Sequence, residues 1–242
     1  MRKIKMKKVI KLAVMASTLI TSVAFSQCAD LTIATGGVWD EVKLGTDPVL
    51  ATTVNPLDGT CSMAVPVESG KRYVQDNMDQ ETSFRGSFLL DPNNANFPTS
   101  GQERKVKVHN VQCAAGCDNN GTVDWFQAKL RRNADFFKLG VWAREADGNK
   151  ISHTADLVDG CNVVQYELIA GNPGTFRLWI NNTDPNNPTF ESTTADFTGR
   201  FTDRVRLGRS GTGNNIASGS TIYMDKFESR RQTFNETALC AP

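Results

Sequence analysis

Basic and aromatic residues line the polar sides of five predicted strands, residues 82–90, 105–111, 124–132, 136–144 and 175–181. The residues best suited to bind a ligand lie on the last three of these strands. In residues 176–180 (FRLWI), for example, Arg177 and Trp179 alternate with apolar residues, and alternate residues of a strand face opposite sides of its sheet. An outward tryptophan offers a flat apolar surface to a sugar ring, and outward cations pair with carboxylates or sulfates. The sequence therefore predicts a carbohydrate-binding face, with candidate residues Trp125, Gln127, Lys129, Arg131, Lys138, Trp142, Arg144, Arg177 and Trp179.

Two of the five strands are close neighbours in the chain. Residues 124–132 and 136–144 are joined only by residues 133–135, a connection that favours an antiparallel hairpin. Trp125, Lys129 and Trp142 are then expected on one outward surface, the centre of a basic, aromatic patch for an acidic glycan. Two alternatives stay open. The cations can belong to an ordinary solvated face and pair with acids from nearby loops, or two sheets can divide the candidate residues between them.

Short alternating segments of this kind occur throughout the chain after residue 26. Clusters of Gly, Asn, Asp and Pro separate them at intervals of roughly 8–15 residues, which is typical of a sandwich or barrel. Strands with one apolar face each predict antiparallel sheets packed face to face. The expected fold is all-β, a single antiparallel two-sheet sandwich domain over residues 27–242 with less than a tenth of the mature chain in helix.

The first 26 residues have the composition of a secretory signal peptide. Residues 1–8 carry five basic side chains and no acid, and residues 9–25 are mostly apolar. Ala24 and Ser26 are small residues at the positions that a signal peptidase reads. The apolar stretch of residues 12–25 is shorter than the ~18 residues of a membrane span. We therefore expect a secreted or periplasmic protein, cleaved after Ser26, with no membrane span.

Removal of this leader changes the net charge of the protein. The leader holds six of the 27 basic residues and none of the 26 acidic residues, so the mature chain keeps 21 basic residues and has a net charge of −5. Such a charge argues against non-specific nucleic-acid binding, which requires a broad positive field. A polysaccharide or other glycan is the expected partner.

The cysteines predict disulfide bonds. All six (Cys28, Cys61, Cys113, Cys117, Cys161 and Cys240) follow the predicted cleavage site, and an even number in an exported protein indicates a disulfide framework without free thiols. Cys113 and Cys117 are close enough in sequence to be a candidate local pair. We expect Cys28 or Cys240 to fix a terminus, and the other pairings stay open.

Calcium is the one cofactor that the sequence suggests. Residues 118–124 (DNNGTVD) offer Asp118, Asn120 and Asp124 as oxygen ligands. The segment lacks the Asp-x-Asp-x-Asp-Gly order and the bidentate glutamate of strong calcium loops. A polar turn beside the Cys113–Cys117 segment is the alternative.

Three later segments resemble a known superfamily. They are residues 176–182 (FRLWINN), 204–209 (RVRLGR) and 218–227 (SGSTIYMDKF). In this order they resemble strands of the concanavalin A-like lectin/glucanase superfamily, in its laminin-G-like jelly-roll branch. The resemblance covers residues 70–233 and implies a sandwich in which the curved outer face of one sheet binds carbohydrate. Because the superfamily also includes enzymes, the fold alone does not decide the activity.

The catalytic patterns of this superfamily are incomplete in the chain. The glycosidase run Glu-x-Asp-x-x-Glu, which brings two carboxylates together, is absent. Asp225 and Glu228 are three residues apart and are expected on opposite faces of a regular strand, so a structural role is expected for Asp225. These departures argue against a glycosidase.

A polysaccharide lyase is the remaining enzymatic alternative. Residues 136–142 (FFKLGVW) and the pair Val108-His109 look like two strands of alginate lyase-type enzymes, but Phe136 and Lys107 stand where those enzymes have tyrosine and glutamine. We expect His109 to be an exposed strand residue. The expected function is a non-catalytic carbohydrate-binding or adhesion module, followed by a structural or partner-binding surface protein and then by a lyase. The oligomeric state stays open.

Overall fold

The computed structural model describes residues 39–43, 50–59, 61–66, 70–93, 95–97, 105–114, 117, 121–133, 136–211, 220–230 and 240. Every regular element in this part of the chain is a β-strand. No described residue belongs to a helix that could cross a membrane. The all-β prediction is therefore confirmed for the described residues, whereas the predicted signal peptide, residues 1–26, lies outside them.

The strands form two seven-stranded antiparallel sheets. Sheet I has the order β1-β4-β13-β6-β7-β8-β9, and sheet II has the order β12-β11-β10-β5-β14-β3-β2. The predicted two-sheet sandwich is thus confirmed. The strands are β1 (Glu41–Lys43), β2 (Leu50–Thr52), β3 (Ser62–Pro66), β4 (Arg72–Glu81), β5 (Ser83–Asp91), β6 (Lys105–Cys113), β7 (Val123–Asn133), β8 (Phe136–Arg144), β9 (Lys150–Asp156), β10 (Asn162–Ile169), β11 (Gly174–Ile180), β12 (Phe190–Ala195), β13 (Thr202–Arg209) and β14 (Thr221–Arg230).

The core lies between the inner faces of the two sheets. Leu130 and Leu139 of sheet I belong to the same buried cluster as Leu168 and Leu178 of sheet II, and all four side chains are inaccessible to solvent. Burial of each such side chain contributes about 1.5–3 kcal/mol. The apolar side of each alternating strand therefore holds the sandwich together, while the polar side faces outward.

The predicted hairpin is present as β7 and β8, with Gln127 opposite Trp142. On its other edge β7 pairs with β6, and this pairing shifts register between Lys107 and His109 and again between Val111 and Gln112. A β-bulge adds one residue to one strand and changes which residues beyond it face the core. The alternation of inward-facing and outward-facing side chains is therefore interrupted once in β6 and once in β7.

The bulges bury two side chains that were predicted to face outward, so both predictions are wrong. Trp125 is the extra residue of β7, since Gln112 lies opposite Asp124 and Val111 lies opposite Phe126. Trp125 is 0% exposed, and its ring packs edge-on against Phe197.

His109 follows the extra residue of β6 and is also fully buried. Its Nε2 lies 2.6 Å from the hydroxyl oxygen of Tyr166, and its ring lies 4.9 Å from that of Phe88, centroid to centroid. Burial lowers the pKa of His109 to about 3. The imidazole is therefore a neutral part of the core and does not face the groove described below.

Disulfide bonds join Cys113 to Cys117, as predicted, and Cys161 to Cys240. The second bond ties the C-terminal region to the start of β10. Cys61 is also disulfide-bonded, and none of the described cysteines is free. Cys28 lies outside the described residues.

The outer face of sheet II is partly covered. Leu89 and Val163, which point away from the main core, form a second buried cluster with Leu57 and Tyr223. The outer face of sheet I, in contrast, carries a groove lined mainly by polar and charged residues.

Candidate functional site: a basic groove on sheet I

A row of polar and aromatic side chains crosses sheet I at right angles to its strands. Cross-strand pairing places Arg206 opposite Asn110, Asn110 opposite Gln127, and Gln127 opposite Trp142. Neighbouring strands lie ~4.8 Å apart, so three strand spacings separate the two ends of the row by about 14 Å. The row has a cation, Arg206, at one end and an aromatic ring, that of Trp142, at the other.

Arg206, Gln127 and Trp142 line an open groove of about 750 Å³ on this outer face. Among the described residues, Asp124 is the one acid that lines it, against seven cations. The groove is therefore strongly basic although the predicted mature chain is acidic. Its cations are Lys71, Lys107, Lys129, Arg144, Lys150, Arg204 and Arg206.

Trp142 forms the aromatic end of the groove and is partly exposed. The guanidinium carbon of Arg144 lies 5.4 Å from the centroid of the Trp142 ring, and Nζ of Lys150 lies 4.5 Å from it. Cation–π contacts at exposed sites contribute about 0.5–1 kcal/mol each. A ligand that reaches Trp142 therefore meets an apolar ring flanked by two positive charges.

The opposite end of the groove is formed by two arginines of β13. Nε of Arg206 donates a 2.7 Å hydrogen bond to Oε1 of Gln75, and its guanidinium lies 4.5 Å from the ring centroid of Tyr73. Nε of Arg204, like that of Arg144, has no hydrogen-bond partner among the described residues. Arginine side chains in general can bind carboxylates or sulfates in a bidentate manner.

Asp124 organises the floor of the groove. Its Oδ2 accepts hydrogen bonds of 2.7 Å from Nζ of Lys107 and from Nε2 of Gln127. Its Oδ1 accepts bonds of 2.8 and 2.9 Å from the side-chain amides of Asn110 and Gln112. Burial raises the pKa of Asp124, but the charge of Lys107 and these hydrogen bonds outweigh burial, and the pKa is lowered from its ordinary value. The carboxylate therefore stays ionised and fully hydrogen-bonded.

The structure brings four of the nine predicted binding residues into the groove: Gln127, Lys129, Trp142 and Arg144. Two more lie on the same face beyond it. Lys138 forms a 2.7 Å ion pair with Asp156 on β9. The guanidinium of Arg131 lies over Gly140, where a Cβ atom would meet its Nε at 2.7 Å.

The remaining predicted residues do not belong to this surface. Trp125 is buried in the core by the β7 bulge, as described above. Arg177 and Trp179 lie on β11 and therefore on sheet II, so the division of the candidates between two sheets is observed. Arg177 binds Glu167 at 2.9 Å and also Glu191, and Trp179 is only 2% exposed. The prediction of a single binding face that includes these three residues is therefore wrong.

Several groove residues were absent from the sequence prediction. Arg204 and Arg206 alternate with the buried Val205 and Leu207. The alternation of side chains along a strand therefore predicts that both arginines face outward. Their position beside β6 could not be predicted in this way, because it depends on a pairing between strands about 95 residues apart in the chain.

None of the described residues considered for catalysis or calcium binding is free to perform that role in the groove. Asp118 and Asn120 of the calcium hypothesis lie outside the described residues, and Asp124 gives both oxygens to the network around Lys107. Asp225 is buried and accepts hydrogen bonds from the backbone amides of Asp58 and Lys226. Burial raises the pKa of Asp225 to about 6. His109, the histidine of the lyase comparison, lies in the core and cannot serve a ligand in the groove.

Comparisons with known proteins relate the chain to solved structures. No family model and no curated protein sequence matches it. It is similar to the receptor-binding domain of botulinum neurotoxin type G, with a TM-score of 0.54 and 8% identity over 82% of this chain and 44% of that one. It is also similar to the receptor-binding domain of botulinum neurotoxin D, with a TM-score of 0.54 and 13% identity over 81% of this chain and 45% of that one.

A third similar structure is the botulinum neurotoxin serotype D ligand-binding domain in complex with N-acetylneuraminic acid. Its TM-score is 0.51 at 13% identity, over 81% of this chain and 43% of that one. At these identities the similarity shows the fold alone, and the chain spans less than half the length of these neighbours. Fold and site together define a two-sheet β-sandwich with a basic, tryptophan-bearing groove across one sheet.

Proposed function

We propose that the protein is a non-catalytic carbohydrate-binding module and that its groove on sheet I binds an acidic polysaccharide. One observation carries this proposal: Trp142 and seven cations line the same open groove. An apolar ring suits the face of a sugar, and the cations suit its carboxylates or sulfates. The neurotoxin domain that was solved with N-acetylneuraminic acid, an acidic sugar, supports the proposal by analogy of fold.

The proposal includes the setting in which the module acts. The leader predicted over residues 1–26 and the disulfide bonds support an exported protein, with one domain over residues 27–242. The order of the strand motifs supports membership of the concanavalin A-like superfamily in its laminin-G-like branch. Sequencing the N-terminus of the secreted protein tests the leader, since a mature chain beginning at Gln27 is expected.

The binding function is tested with a panel of neutral, uronate and sulfated polysaccharides. We expect retention of the acidic members and weaker retention as salt is added, because ~0.1 M salt screens exposed charges beyond about 10 Å. Trp142→Ala should weaken binding at least about tenfold, as expected for a central aromatic contact.

Arg177→Ala is the matched control for Arg144→Ala. Both remove one partly exposed guanidinium, but Arg177 lies on the other sheet. We expect Arg144→Ala to weaken retention several-fold and Arg177→Ala to leave it unchanged. If no polysaccharide is retained, or if the two variants behave alike, the groove is not a glycan site and a structural or partner-binding surface replaces this proposal.

A further inference from the structure

The amide groups beside Asp124 have a fixed orientation. A carboxylate only accepts hydrogen bonds, so the three amides that contact it must turn their NH₂ groups toward it. Their oxygens consequently point away from Asp124. Oδ1 of Asn110, Oε1 of Gln112 and Oε1 of Gln127 are buried and have no hydrogen-bond partner among the described residues.

The oxygens of Gln112 and Gln127 are the unused acceptors of the groove floor. Asn110, Gln112 and Gln127 are 0%, 7% and 3% exposed, and Gln112 and Gln127 line the groove. Leaving a buried polar atom unpaired costs about 1–3 kcal/mol. The oxygens of Gln112 and Gln127 are closed to solvent in the ligand-free protein. A ligand that brings hydrogen-bond donors to the floor removes this cost once these two side chains shift to admit it, and a ligand that carries acceptors alone does not.

We infer that Asp124 is a specificity-determining positioning residue, which holds the floor amides so that the groove prefers an anion bearing hydroxyl or amide donors over an anion without them. This inference rests on the proposed function and adds the selection of the ligand class. The rim cations attract any polyanion, because their attraction depends on charge. The floor adds discrimination, because a site built to hydrogen-bond a ligand donor rejects an analogue that lacks it.

The test compares two anions of matched charge, a uronate oligosaccharide and inorganic polyphosphate. The uronate carries hydroxyl donors, whereas polyphosphate offers acceptors along its chain. Wild-type protein is expected to bind the uronate more tightly. Asp124→Asn leaves one accepting oxygen where two oxygens accepted four hydrogen bonds. The substitution therefore frees the amides to rotate and removes one negative charge from the groove.

If Asp124 acted only through its charge, Asp124→Asn would strengthen uronate binding. If Asp124 positions the floor amides, the same variant weakens it. We expect Asp124→Asn to bind polyphosphate more tightly and the uronate more weakly, so that the ratio of the two affinities falls about tenfold. Asp156→Asn is the matched control, since Asp156 is exposed on the same face, pairs with Lys138 and lies outside the Asp124 network. It should strengthen the binding of both anions slightly.

A second variant keeps the test decisive if Asp124→Asn does not fold. Gln112→Met removes one floor acceptor without changing charge, and Asp124 keeps its three other partners. It should weaken uronate binding and leave polyphosphate binding unchanged. The inference is overturned if Asp124→Asn strengthens both ligands as Asp156→Asn does, or if Gln112→Met changes neither. Failure of the wild-type protein to bind any glycan would instead refute the proposed function.

Discussion

Trp125 and Trp142 lie 17 residues apart on paired strands, and truncation of each should have a different consequence. Trp125 is 0% exposed and packs against Phe197. Trp125→Ala leaves a cavity in the core, and such substitutions cost about 3–5 kcal/mol. For a domain of this size each kcal/mol lowers the Tm by roughly 2–4 °C. The Tm should therefore fall by roughly 6–20 °C.

Trp142→Ala removes a ring that is partly exposed on the outer face and whose described close partners are the cations Arg144 and Lys150. Loss of two such contacts should cost about 1–2 kcal/mol, so the Tm should fall by only a few degrees. Thermal unfolding followed by circular dichroism measures both variants under the same conditions. Equal shifts, or a larger shift for Trp142→Ala, would refute the assignment of Trp125 to the β7 bulge.

Three further predictions concern the core and the disulfide bonds. His109 has a pKa of about 3 when folded against 6.5 ordinarily, so the unfolded state alone binds its proton between these values. The stability of wild type relative to His109→Gln should fall as the pH decreases from 6.5 toward 3, as measured by urea unfolding at several pH values. Gly86→Ala places a methyl group against the buried Tyr166 hydroxyl and should cost about 1–3 kcal/mol in the same assay, whereas no change would contradict the close packing of that pair. Replacing both Cys161 and Cys240 with serine opens a bond between residues 79 apart and should cost about 4 kcal/mol, and an unchanged Tm would show that this bond does not restrain the unfolded chain.

The strands and their apolar faces were predictable because alternation is a local property of the sequence. The hairpin of β7 and β8 follows from its short connection and is present with Gln127 opposite Trp142. The Cys113–Cys117 bond follows from the same kind of local proximity. These features required no knowledge of which strands pair at long range.

Errors arose where local alternation is interrupted or where strand pairing is non-local. Trp125 faces the core because it is the extra residue of a bulge in β7, and His109 does so because it follows the extra residue of a bulge in β6. The sequence does not mark a bulge at either place. Arg177 and Trp179 have the expected alternation, but β11 joins sheet II through β10. The groove residues Arg204 and Arg206 reach the site through the pairing of β13 with β6.

The most direct test of the proposed binding site is to map a bound uronate oligosaccharide onto the protein by NMR chemical-shift changes of the backbone amides. We expect the largest changes on the outer face of sheet I, along the row from Arg206 through Gln127 to Trp142. The same changes should be lost in Trp142→Ala while the rest of the spectrum is preserved. Changes centred on Arg177 and Trp179, on the outer face of sheet II, would contradict the proposed binding site.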